Sequence, residues 1–408
     1  MKRVVITGMG AVSPFGVGTD VMMESLKAGE SAIRTMEELK EVHGLQPTIA
    51  GKVPDYEAKS IPRKFRRTMS PMSIFATIAA QEAIDQSGLD AALLSGGRTG
   101  LAVSSTIGST QALQSFFAHY LDGQTIEGIK STEFFKIMNH SCAANLTQRF
   151  AITGRVMAPS AACSTGCQNI GLAAEAIAMG KQDIMLCGGA DELHPLTVGT
   201  FDILQAASTG YNDAPTSSPR PFSTDRDGIV CSEGAGMLVL ESLESAQARG
   251  AEILAEILGF SLTADPSNLA SPSAEAIAKC MQCALDDAGV ASSEVQYVNA
   301  HATGTILGDA AESAAIGSLF GDKPRVSSLK GHMGHTMAAS GALETIATIS
   351  MMHNGLAIPT RNLINVAPDC SGISHLKQLE YGPVSIALKN NFALGGINTS
   401  IVLRRDND

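Results

Sequence analysis

Charged side chains are scarce in this chain. Asp, Glu, Lys and Arg make up 17% of the 408 residues, whereas hydrophobic residues make up 44%. This composition excludes whole-chain disorder and indicates a globular protein with a large core. Basic side chains are also outnumbered, 29 against 40 acidic ones, which gives a net charge of −11. An acidic balance argues against a nucleic-acid binder, which would present a basic face, so we expect no nucleic-acid partner.

The sequence also lacks a recognisable signal peptide and a clean membrane span. The apolar run after Met1 is about half as long as the core of a signal peptide, and Gly8 and Gly10 follow it. The longest uncharged stretch, 156–174, contains Pro159 and several polar side chains that a spanning helix would not readily carry. We therefore expect a soluble, cytoplasmic protein with no integral membrane segment.

No cysteine pattern indicates a disulfide framework or a metal site. Most of the 8 cysteines lie in apolar surroundings, and without a signal peptide we expect reduced thiols. Cys280 and Cys283 have the spacing of a redox or zinc pair, but no second ligand pair accompanies them. Because their surroundings have helical periodicity, we interpret them as packed free thiols and predict no metal.

Strand-like runs alternate with helical stretches along the chain. The order is broadly βαβα, which predicts an α/β fold with a mostly parallel sheet covered by helices on both faces. The predicted strands are 3–8, 99–104, 183–187, 235–241, 253–260, 295–300, 325–328, 384–389 and 398–404. The predicted helices are 72–87, 164–180, 273–288, 309–320 and 340–353.

No low-complexity linker divides the chain, but two halves are predicted. The closest approach to a boundary is 244–250, and a loose internal similarity relates the segments on either side of it. We expect an N-terminal half, 1–250, and a C-terminal half, 251–408. The Gly8-x-Gly10 pair lacks the third glycine and the immediate helix of a dinucleotide site, so nucleotide binding is rejected.

A turn of small residues carries the candidate nucleophile, Cys163. Segment 160–166 reads Ser-Ala-Ala-Cys-Ser-Thr-Gly and lies where a loop meets an almost uncharged helix. A thiol at a helix N-terminus lies near the positive end of the dipole, which we expect to lower its pKa. Small neighbours leave room for an acyl group and leave backbone N–H groups free for an oxyanion. The alternative is a buried structural cysteine, but such a turn would fill a core poorly.

His301 is the first of two candidate histidines. It comes just after a predicted strand and is followed by Thr303 and Thr305, a position that points into a cleft better than into a core. Asp309 and Glu312 begin the next predicted helix. We interpret these two carboxylates as charges that suit the N-terminal helix dipole.

His335 ends the second histidine motif, 330–335, which reads Lys-Gly-His-Met-Gly-His. His332 and His335 are three residues apart, but the glycines predict a loop, and no cysteine or carboxylate lies at ligand spacing. Lys330 is interpreted as a positive group that tunes or orients a neutral imidazole. One cysteine with two loop histidines suits acyl transfer, in which the second histidine offers an N–H to an enolate oxygen.

The whole chain resembles the elongating β-ketoacyl-[acyl carrier protein] synthases of the thiolase-like superfamily. The resemblance is carried by segments 4–14, 162–166, 220–228, 299–305 and 330–335. The Cys-His-His order, with Lys330 five residues before the second histidine, is specific, because initiating synthases typically use Cys-His-Asn. The family fold is a five-layered α/β/α/β/α sandwich of two pseudo-repeated halves. The resemblance also implies a dimer and no metal or other cofactor, since substrates are carried on the phosphopantetheine of acyl carrier protein.

The resemblance implies a role for each residue of the Cys-His-His set. Cys163 would accept the acyl chain as a thioester, with the backbone amides of Cys163 and Leu394 as the oxyanion hole. His301 and His335 would assist decarboxylation of malonyl-acyl carrier protein. The resulting carbanion would attack the thioester in a Claisen condensation that lengthens the chain by two carbons.

Further residues have supporting roles under the same resemblance. Lys330 and Glu344 would set the electrostatics of the site, and Thr303 and Thr305 would contact the pantetheine arm. Phe392 would line the substrate site.

The sequence departs from the family pattern at the acyl gate. The usual Gly-Phe-Gly-Gly reads Ala393-Leu394-Gly-Gly here, directly after Phe392. Ala302 and His332 are two further unusual residues. These departures keep open a ketosynthase of a type II polyketide or aryl-polyene pathway, as a homodimer or as a heterodimer with a chain-length-factor homologue.

A basic cluster stands out in the acidic sequence. Arg63, Lys64, Arg66 and Arg67 fall within five positions. A charge run of this kind is usually a solvated helix start, but the resemblance favours a docking patch for the acidic acyl carrier protein, which Lys130 would extend.

Two other classes of protein stay open from the residues alone. A Cys-His hydrolase would cleave thioesters or peptides without forming a carbon–carbon bond. A non-catalytic scaffold subunit would not need the Cys-His-His set.

Overall fold

The computed structural model describes residues 1–267 and 269–405. Residues 268 and 406–408, which fall in the second predicted half, lie outside the described residues. The strands are β1 (Val4–Ser13), β2 (Gly16–Val17), β3 (Ile33–Thr35), β4 (Ile49–Gly51), β5 (Thr99–Ser104), β6 (Val156–Met157), β7 (Ile184–Asp191), β8 (Gly234–Ser242), β9 (Ala255–Ala264), β10 (Tyr297–Asn299), β11 (Arg325–Ser327), β12 (Leu356–Ala357), β13 (Ser374–His375), β14 (Glu380–Tyr381), β15 (Ile386–Ala393) and β16 (Ile397–Arg405).

Helices occupy most of the chain between these strands. They are α1 (Thr19–Lys27), α2 (Glu37–Lys40), α3 (Arg63–Arg66), α4 (Pro71–Ser87), α5 (Ala91–Ser95), α6 (Thr110–Gly123), α7 (Ser131–Ile137), α8 (Ser141–Phe150), α9 (Thr165–Ala178), α10 (Pro195–Ile203), α11 (Leu243–Ala248), α12 (Ala274–Ala288), α13 (Ile306–Phe320), α14 (Lys330–Met333) and α15 (Ser340–Asn354). Every strand and helix predicted from the pattern is present. Strand 99–104 has the predicted ends, and the others differ at one or both ends.

The main sheet repeats one strand order in its two halves. The order is β13-β11-β10-β15-β16-β9-β1-β8-β7-β5-β6. Outward from the junction, the first half has the order β1-β8-β7-β5-β6 and the second half has the order β9-β16-β15-β10-β11. In each half these are the first, fifth, fourth, second and third of its five strands along the chain. The halves join where β1 pairs with β9. This repeat confirms the prediction of two pseudo-repeated halves.

The prediction of a mostly parallel sheet is wrong. The two pairings nearest the junction are antiparallel in each half. They are β1–β8 and β8–β7 in the first half and β9–β16 and β16–β15 in the second. The pairings farther out are parallel. Only residues 394–396 separate β15 from β16, and so short a connection forms a hairpin, which is antiparallel. The βαβα order alone does not reveal such a hairpin.

Two helices form the central layer of the molecule. Helix α9 packs against β5, β7 and β8 on one side and against β9 and β16 on the other, and α15 likewise contacts both halves. Helices α4 and α8 cover the outer face of the first half, and α12 covers that of the second. The resulting α/β/α/β/α sandwich confirms the predicted five layers. Among the helices in the described ranges, none has the length and apolarity that a bilayer span requires.

The two glycines of the first strand serve packing. A Cβ on Gly8 would lie 2.1 Å from the backbone oxygen of Ala83, and one on Gly10 would lie 1.9 Å from that of Ala79. Both oxygens belong to α4, so β1 can approach this helix only where side chains are absent. The spacing that resembled part of a nucleotide motif is therefore explained by helix–sheet contact.

Replacing Gly10 by alanine should destabilise the fold. The new Cβ would clash with the backbone of α4, and we expect a loss of about 1–3 kcal/mol in the free energy of unfolding. Gly317→Ala is the matched control, because the nearest atoms to its Cβ position are 3.6 Å away and alanine favours a helix interior. Denaturant unfolding of both variants measures the difference, and equal stabilities would contradict this account.

Candidate active site

The predicted nucleophile lies in a strained turn at the start of the central layer. Cys163 occupies the 3-10 turn Ala162–Ser164, which leads into α9. Ala162 has a φ of +44°, in the left-handed region that costs a residue with a side chain about 1–3 kcal/mol. The Ser164 hydroxyl contacts the backbone oxygens of Asn391 and Ile397 at 3.0 Å each and thereby ties the turn to β15 and β16. This tie helps to fix Cys163, which is 5% exposed, at the wall of a cavity.

The two central helices, α9 and α15, pack closely against each other beside this turn. A Cβ on Gly166 would lie 2.5 Å from the backbone oxygen of Ala338, and one on Gly341 would lie 2.3 Å from the backbone nitrogen of Cys167. The starts of α9 and α15 therefore touch through their backbones. This contact brings the cysteine turn next to the loop that carries His335.

The expected lowering of the pKa of Cys163 is wrong. Burial raises the pKa of this thiol to about 11, although Lys330 and the backbone N–H groups of Leu394 and of Cys163 itself lower it. Desolvation of a thiolate in a nearly closed site outweighs the helix N-terminus. The two N–H groups that act on the sulfur are those of the predicted oxyanion hole.

Glu312 fixes the backbone of the first histidine. Its carboxylate accepts the backbone N–H of His301 at 2.9 Å and that of Ala302 at 2.7 Å. Asp309 likewise accepts the N–H groups of Gly304 and Phe222, at 3.1 and 2.7 Å. Both carboxylates are buried, so they do more than place charge at the start of α13. They bind the loop that presents the histidine.

Asn391 lies at the centre of the site. Its side-chain Nδ2 is 3.3 Å from the backbone oxygen of Cys163, 3.3 Å from Nδ1 of His301 and 3.0 Å from Oγ of Ser340. The backbone oxygen can only accept, so it orients the amide nitrogen toward this side. The amide has two hydrogens for these three neighbours, and when it donates one to Nδ1 of His301, the imidazole proton lies on Nε2.

His335 faces His301 across a short gap. The two imidazole centroids are 5.3 Å apart with planes at 84°. The backbone N–H of His335 donates to the backbone oxygen of Val230 at 2.8 Å, and its backbone oxygen accepts from the N–H of Ser232 at 2.9 Å. Among the described residues, neither ring nitrogen of His335 has a hydrogen-bond partner. Both rings line the cavity, where they can meet a substrate.

Burial and nearby cations keep both imidazoles neutral. Burial holds the pKa of His301 and of His335 well below the usual value, and Lys330 lowers both further. The Nζ of Lys330 is 2.6 Å from Oε1 of Glu344 in a fully buried ion pair. The Nζ of Lys389 is 2.6 Å from the other carboxylate oxygen, Oε2. One carboxylate therefore lies between two ammonium groups.

The cavity joins these groups to the surface and measures about 580 Å³. Thr303 and Thr305 line it, with their hydroxyls 3.2 Å apart. The Phe392 ring packs on His301 with centroids 5.9 Å apart. Leu394, in the turn between β15 and β16, is 43% exposed at the mouth. The substrate-binding residues predicted from sequence therefore share one cavity with the Cys-His-His set.

The unusual His332 lies outside this cavity lining. Its ring nitrogens lie 3.1 Å from the backbone oxygen of Glu30 and 2.9 Å from that of Pro359. In the described part of the chain, no group of three or more His, Cys, Asp or Glu side chains has the arrangement of a metal site.

The basic cluster forms a separate exposed surface. Arg63, Lys64 and Arg67 are exposed, and Arg66 donates to the backbone oxygen of Ala58 at 3.0 Å. Lys130, also exposed, precedes α7. Helices α3 and α7 both pack against α8. Within residues 1–267 and 269–405, none of these five cations forms an ion pair with an acidic side chain.

Sequence reasoning missed three residues that organise the site. Glu312 was interpreted as a helix-start charge, and Asn391 and Lys389 were not singled out. Lys389 carried a usable signal, because it is a cation at the end of predicted strand 384–389, in a sheet expected to have helices on both faces. A lysine buried in a sheet requires an ionic partner.

The Cys163 thiol should react slowly near neutral pH and faster as pH rises. In a Cys283→Ser background, which removes the half-buried thiol, iodoacetamide should label Cys163 first because it lines the cavity. The rate should rise about tenfold per pH unit between pH 7 and 9, since the thiolate fraction does. Mass spectrometry measures the labelling, with buried Cys187 as the internal control. A rate that levels off near pH 7 would show a thiol already ionised.

Comparisons with known proteins agree with this geometry. A family model described as beta-ketoacyl synthase, N-terminal domain, matches residues 1–246, and its C-terminal counterpart matches 254–364. The 3-oxoacyl-[acyl-carrier-protein] synthase 1 of Escherichia coli K12 is 37% identical over the full length of both chains. A crystal structure of a beta-ketoacyl synthase from Burkholderia phymatum has a TM-score of 0.97 at 41% identity, with both chains fully covered. The type II polyketide ketosynthase of the AntDE:AntF complex, bound to its acyl-carrier protein, has a TM-score of 0.91 at 30% identity, again over both full chains. The chain belongs to the β-ketoacyl synthase family.

Proposed function

We propose that Cys163, His301 and His335 carry out the decarboxylative condensation of this family, in fatty-acid elongation. The reaction joins an acyl group to malonyl-acyl carrier protein and gives a β-ketoacyl thioester two carbons longer. The observation that carries the proposal is the meeting of one thiol and two neutral imidazoles in a single cavity. A single Cys–His pair would serve hydrolysis, whereas two neutral N–H donors suit an enolate.

The first step loads Cys163. Its sulfur attacks the acyl thioester carbonyl, and the tetrahedral oxyanion accepts hydrogen bonds from the backbone N–H groups of Cys163 and Leu394. The bond to the pantetheine sulfur then breaks, and that sulfur leaves as a thiol with the proton that Cys163 gave up. Because the resting thiol is protonated, its proton has to move as the bond forms.

The second step creates the carbon nucleophile. The malonyl C–C bond breaks, CO₂ leaves, and the electron pair forms an enolate whose oxygen accepts hydrogen bonds from His301 and His335. Asn391 on Nδ1 of His301 leaves the Nε2 proton free for this purpose. Neutral imidazoles donate without protonating the enolate carbon, so the carbanion survives long enough to react.

The third step forms the new bond. The enolate carbon attacks the Cys163 thioester, and the oxyanion again accepts the two backbone N–H groups. The carbon–sulfur bond breaks, and the cysteine thiolate takes a proton from solution. One proton is therefore consumed per CO₂ released, and no redox step occurs.

The remaining site residues support these steps. Lys330 and Glu344 set the charge behind the histidines, and Thr303, Thr305 and Phe392 line the path of the pantetheine arm. The acyl and malonyl groups arrive on phosphopantetheine. We propose that no metal takes part, because N–H groups held in place by the fold donate hydrogen bonds to each oxyanion and to the enolate oxygen.

A condensation assay tests this function. The protein is incubated with acyl-acyl carrier protein and malonyl-acyl carrier protein, and products are identified by mass spectrometry. We expect CO₂ release and a β-ketoacyl product two carbons longer. Cys163→Ala should abolish the product, and His335→Ala should lower its rate by about 10²-fold or more, as loss of an oxyanion donor does.

Two results would contradict the proposal. Release of free acid without a longer product would indicate a Cys-His hydrolase. Full pathway activity with the Cys163→Ala protein would indicate a scaffold subunit.

Leu394 favours a second candidate pathway within the same chemistry. An exposed aliphatic side chain stands at the cavity mouth where elongating synthases carry an aromatic gate. The similarity to a type II polyketide ketosynthase agrees with a polyketide or aryl-polyene role. Running the same assay with polyene thioesters separates the pathways, because preference for saturated chains would assign fatty-acid elongation.

We propose that the chain acts as a dimer. Exposed apolar side chains cluster on α6 and α7, namely Phe117, Tyr120, Leu121 and Phe134, and an exposed patch of this kind marks an interaction surface. Strand β6 is an edge strand of the sheet, with an unpaired side for a partner strand. A second copy of the chain is the first candidate partner, and a chain-length-factor homologue is the alternative.

Acyl carrier protein is the proposed partner of the basic surface. Reversing two exposed cations, Lys64→Glu and Arg67→Glu together, should raise the KM for carrier-protein substrates about tenfold by removing attraction to an acidic protein. The KM for a small pantetheine thioester should not change. Steady-state kinetics measure both, with Lys323→Glu as a control at an exposed lysine elsewhere. Equal responses to both substrates would contradict docking at this surface.

A further inference from the structure

Lys389 is a buried cation that the steps above do not use. It lies within β15, its side chain is 0% exposed, and its Nζ donates to the backbone oxygen of Asn390. Its Nζ is 2.6 Å from Glu344, whose other oxygen pairs with Lys330 at the same distance. Burying an ammonium group costs several kcal/mol unless a charge balances it, and one carboxylate cannot balance two.

The second balancing charge is Glu312. The Asn390 side chain, next to Lys389, donates to Oε1 of Glu312 at 3.2 Å. Burial raises the pKa of this carboxyl above its usual value, and its hydrogen bonds and the charge of Lys389 offset part of that rise. With the backbone N–H groups of His301 and Ala302, Glu312 accepts three hydrogen bonds, which favour its ionised form. Two buried lysines therefore balance two buried carboxylates directly behind the histidines.

Charged and titratable groups on several elements act on this cluster. Asp309, on α13 with Glu312, has its pKa raised to about 7 by burial and is acted on by Glu312. Lys389 acts on Glu344 from α15, on Lys330 from α14, on Glu312 from α13 and on Cys167 from α9. Tyr297 of β10 is neutral, because burial raises its pKa to about 12. Lys330, Lys389, Glu344 and Glu312 themselves carry two positive and two negative charges when all four are ionised.

We propose that Lys389 is a positioning residue of the condensation, which balances Glu312 and so keeps His301 and His335 as neutral N–H donors. Without it the cluster carries one excess negative charge, and the imidazoles would bind protons more readily. A protonated imidazole transfers its proton to the enolate carbon, which gives an acetyl thioester and ends the reaction without a new C–C bond. The proposal rests on the proposed roles of the two histidines.

The pH dependence follows from the sign of this charge. Condensation needs neutral imidazoles, so it is lost as pH falls through their pKa. Removing Lys389 raises that pKa, and the acid limb of the rate profile moves to higher pH. Lys389 lowers the pKa of both imidazoles. One buried charge shifts the pKa of a neighbouring group by roughly one unit, a tenfold change in proton affinity.

The test is Lys389→Met, with the pH profile as the readout. The rates of CO₂ release, β-ketoacyl product formation and acetyl product formation are measured from pH 4 to 8, because the pKa of both imidazoles lies well below the usual value. We expect the acid limb of condensation to move up by about one pH unit, with acetyl product replacing β-ketoacyl product where condensation falls. Lys323→Met, at an exposed lysine, should leave the profile unchanged.

A charge-balanced double variant provides the sharper test. Lys389→Met with Glu344→Gln leaves Lys330 against Glu312 and restores the balance. Its acid limb should return toward that of the unmodified protein, even if its maximal rate is lower. A merely structural role for Lys389 predicts the opposite, because two core substitutions would disturb packing more than one.

The outcomes separate this inference from the proposed function. A Lys389→Met profile lowered equally at every pH would overturn the inference and leave the function intact. Absence of condensation by the unmodified protein would overturn the function itself. Thermal unfolding checks each variant, and Lys389→Gln replaces the methionine variant if that does not fold. Failure of both to fold would overturn the inference, because the lysine would then be required for folding.

Discussion

The backbone contact between α9 and α15 is the constraint on which the site depends. Gly166 and Gly341 let the two helices begin within van der Waals distance of each other's backbones. Because these helices form the central layer, their starts lie where the two halves of the sheet meet. The first half supplies Cys163, and the second supplies both histidines, so the cavity exists only while this layer stays closely packed.

Burial of this layer also dictates its charge pattern. A charge removed from water has to find a partner in the protein, and the buried carboxylates around the histidines do so. Glu312 and Asp309 accept backbone N–H groups, and Glu344 pairs with two lysines. The same contacts that offset desolvation fix the loops in place, so electrostatics and positioning have one cause.

The sequence predicted what local pattern controls and missed what tertiary contact decides. Periodicity predicted the central helices and the core strands, and the small-residue turn identified Cys163. The antiparallel inner strands were missed because the βαβα order reveals neither the hairpin at 394–396 nor the pairing of strands that lie far apart in the chain, such as β1 with β8. The predicted direction of the pKa shift of Cys163 was wrong, because a sequence shows the start of a helix but does not show how deeply the thiol is buried. Asn391 could not be found, since its role arises from contacts with residues far along the chain.

The resting site carries its protons on neutral groups. The thiol is protonated, both imidazoles are neutral, and the nearby charges are balanced behind them. In the proposed reaction, negative charge therefore arises only in passing, at the tetrahedral oxyanions and at the enolate oxygen. Backbone N–H groups donate hydrogen bonds to the tetrahedral oxyanions, and imidazole N–H groups donate to the enolate oxygen. Since burial and hydrogen bonds already hold these donors in place, they need little reorganisation when the charge develops, and such preorganised donors supply much of an enzyme's rate acceleration.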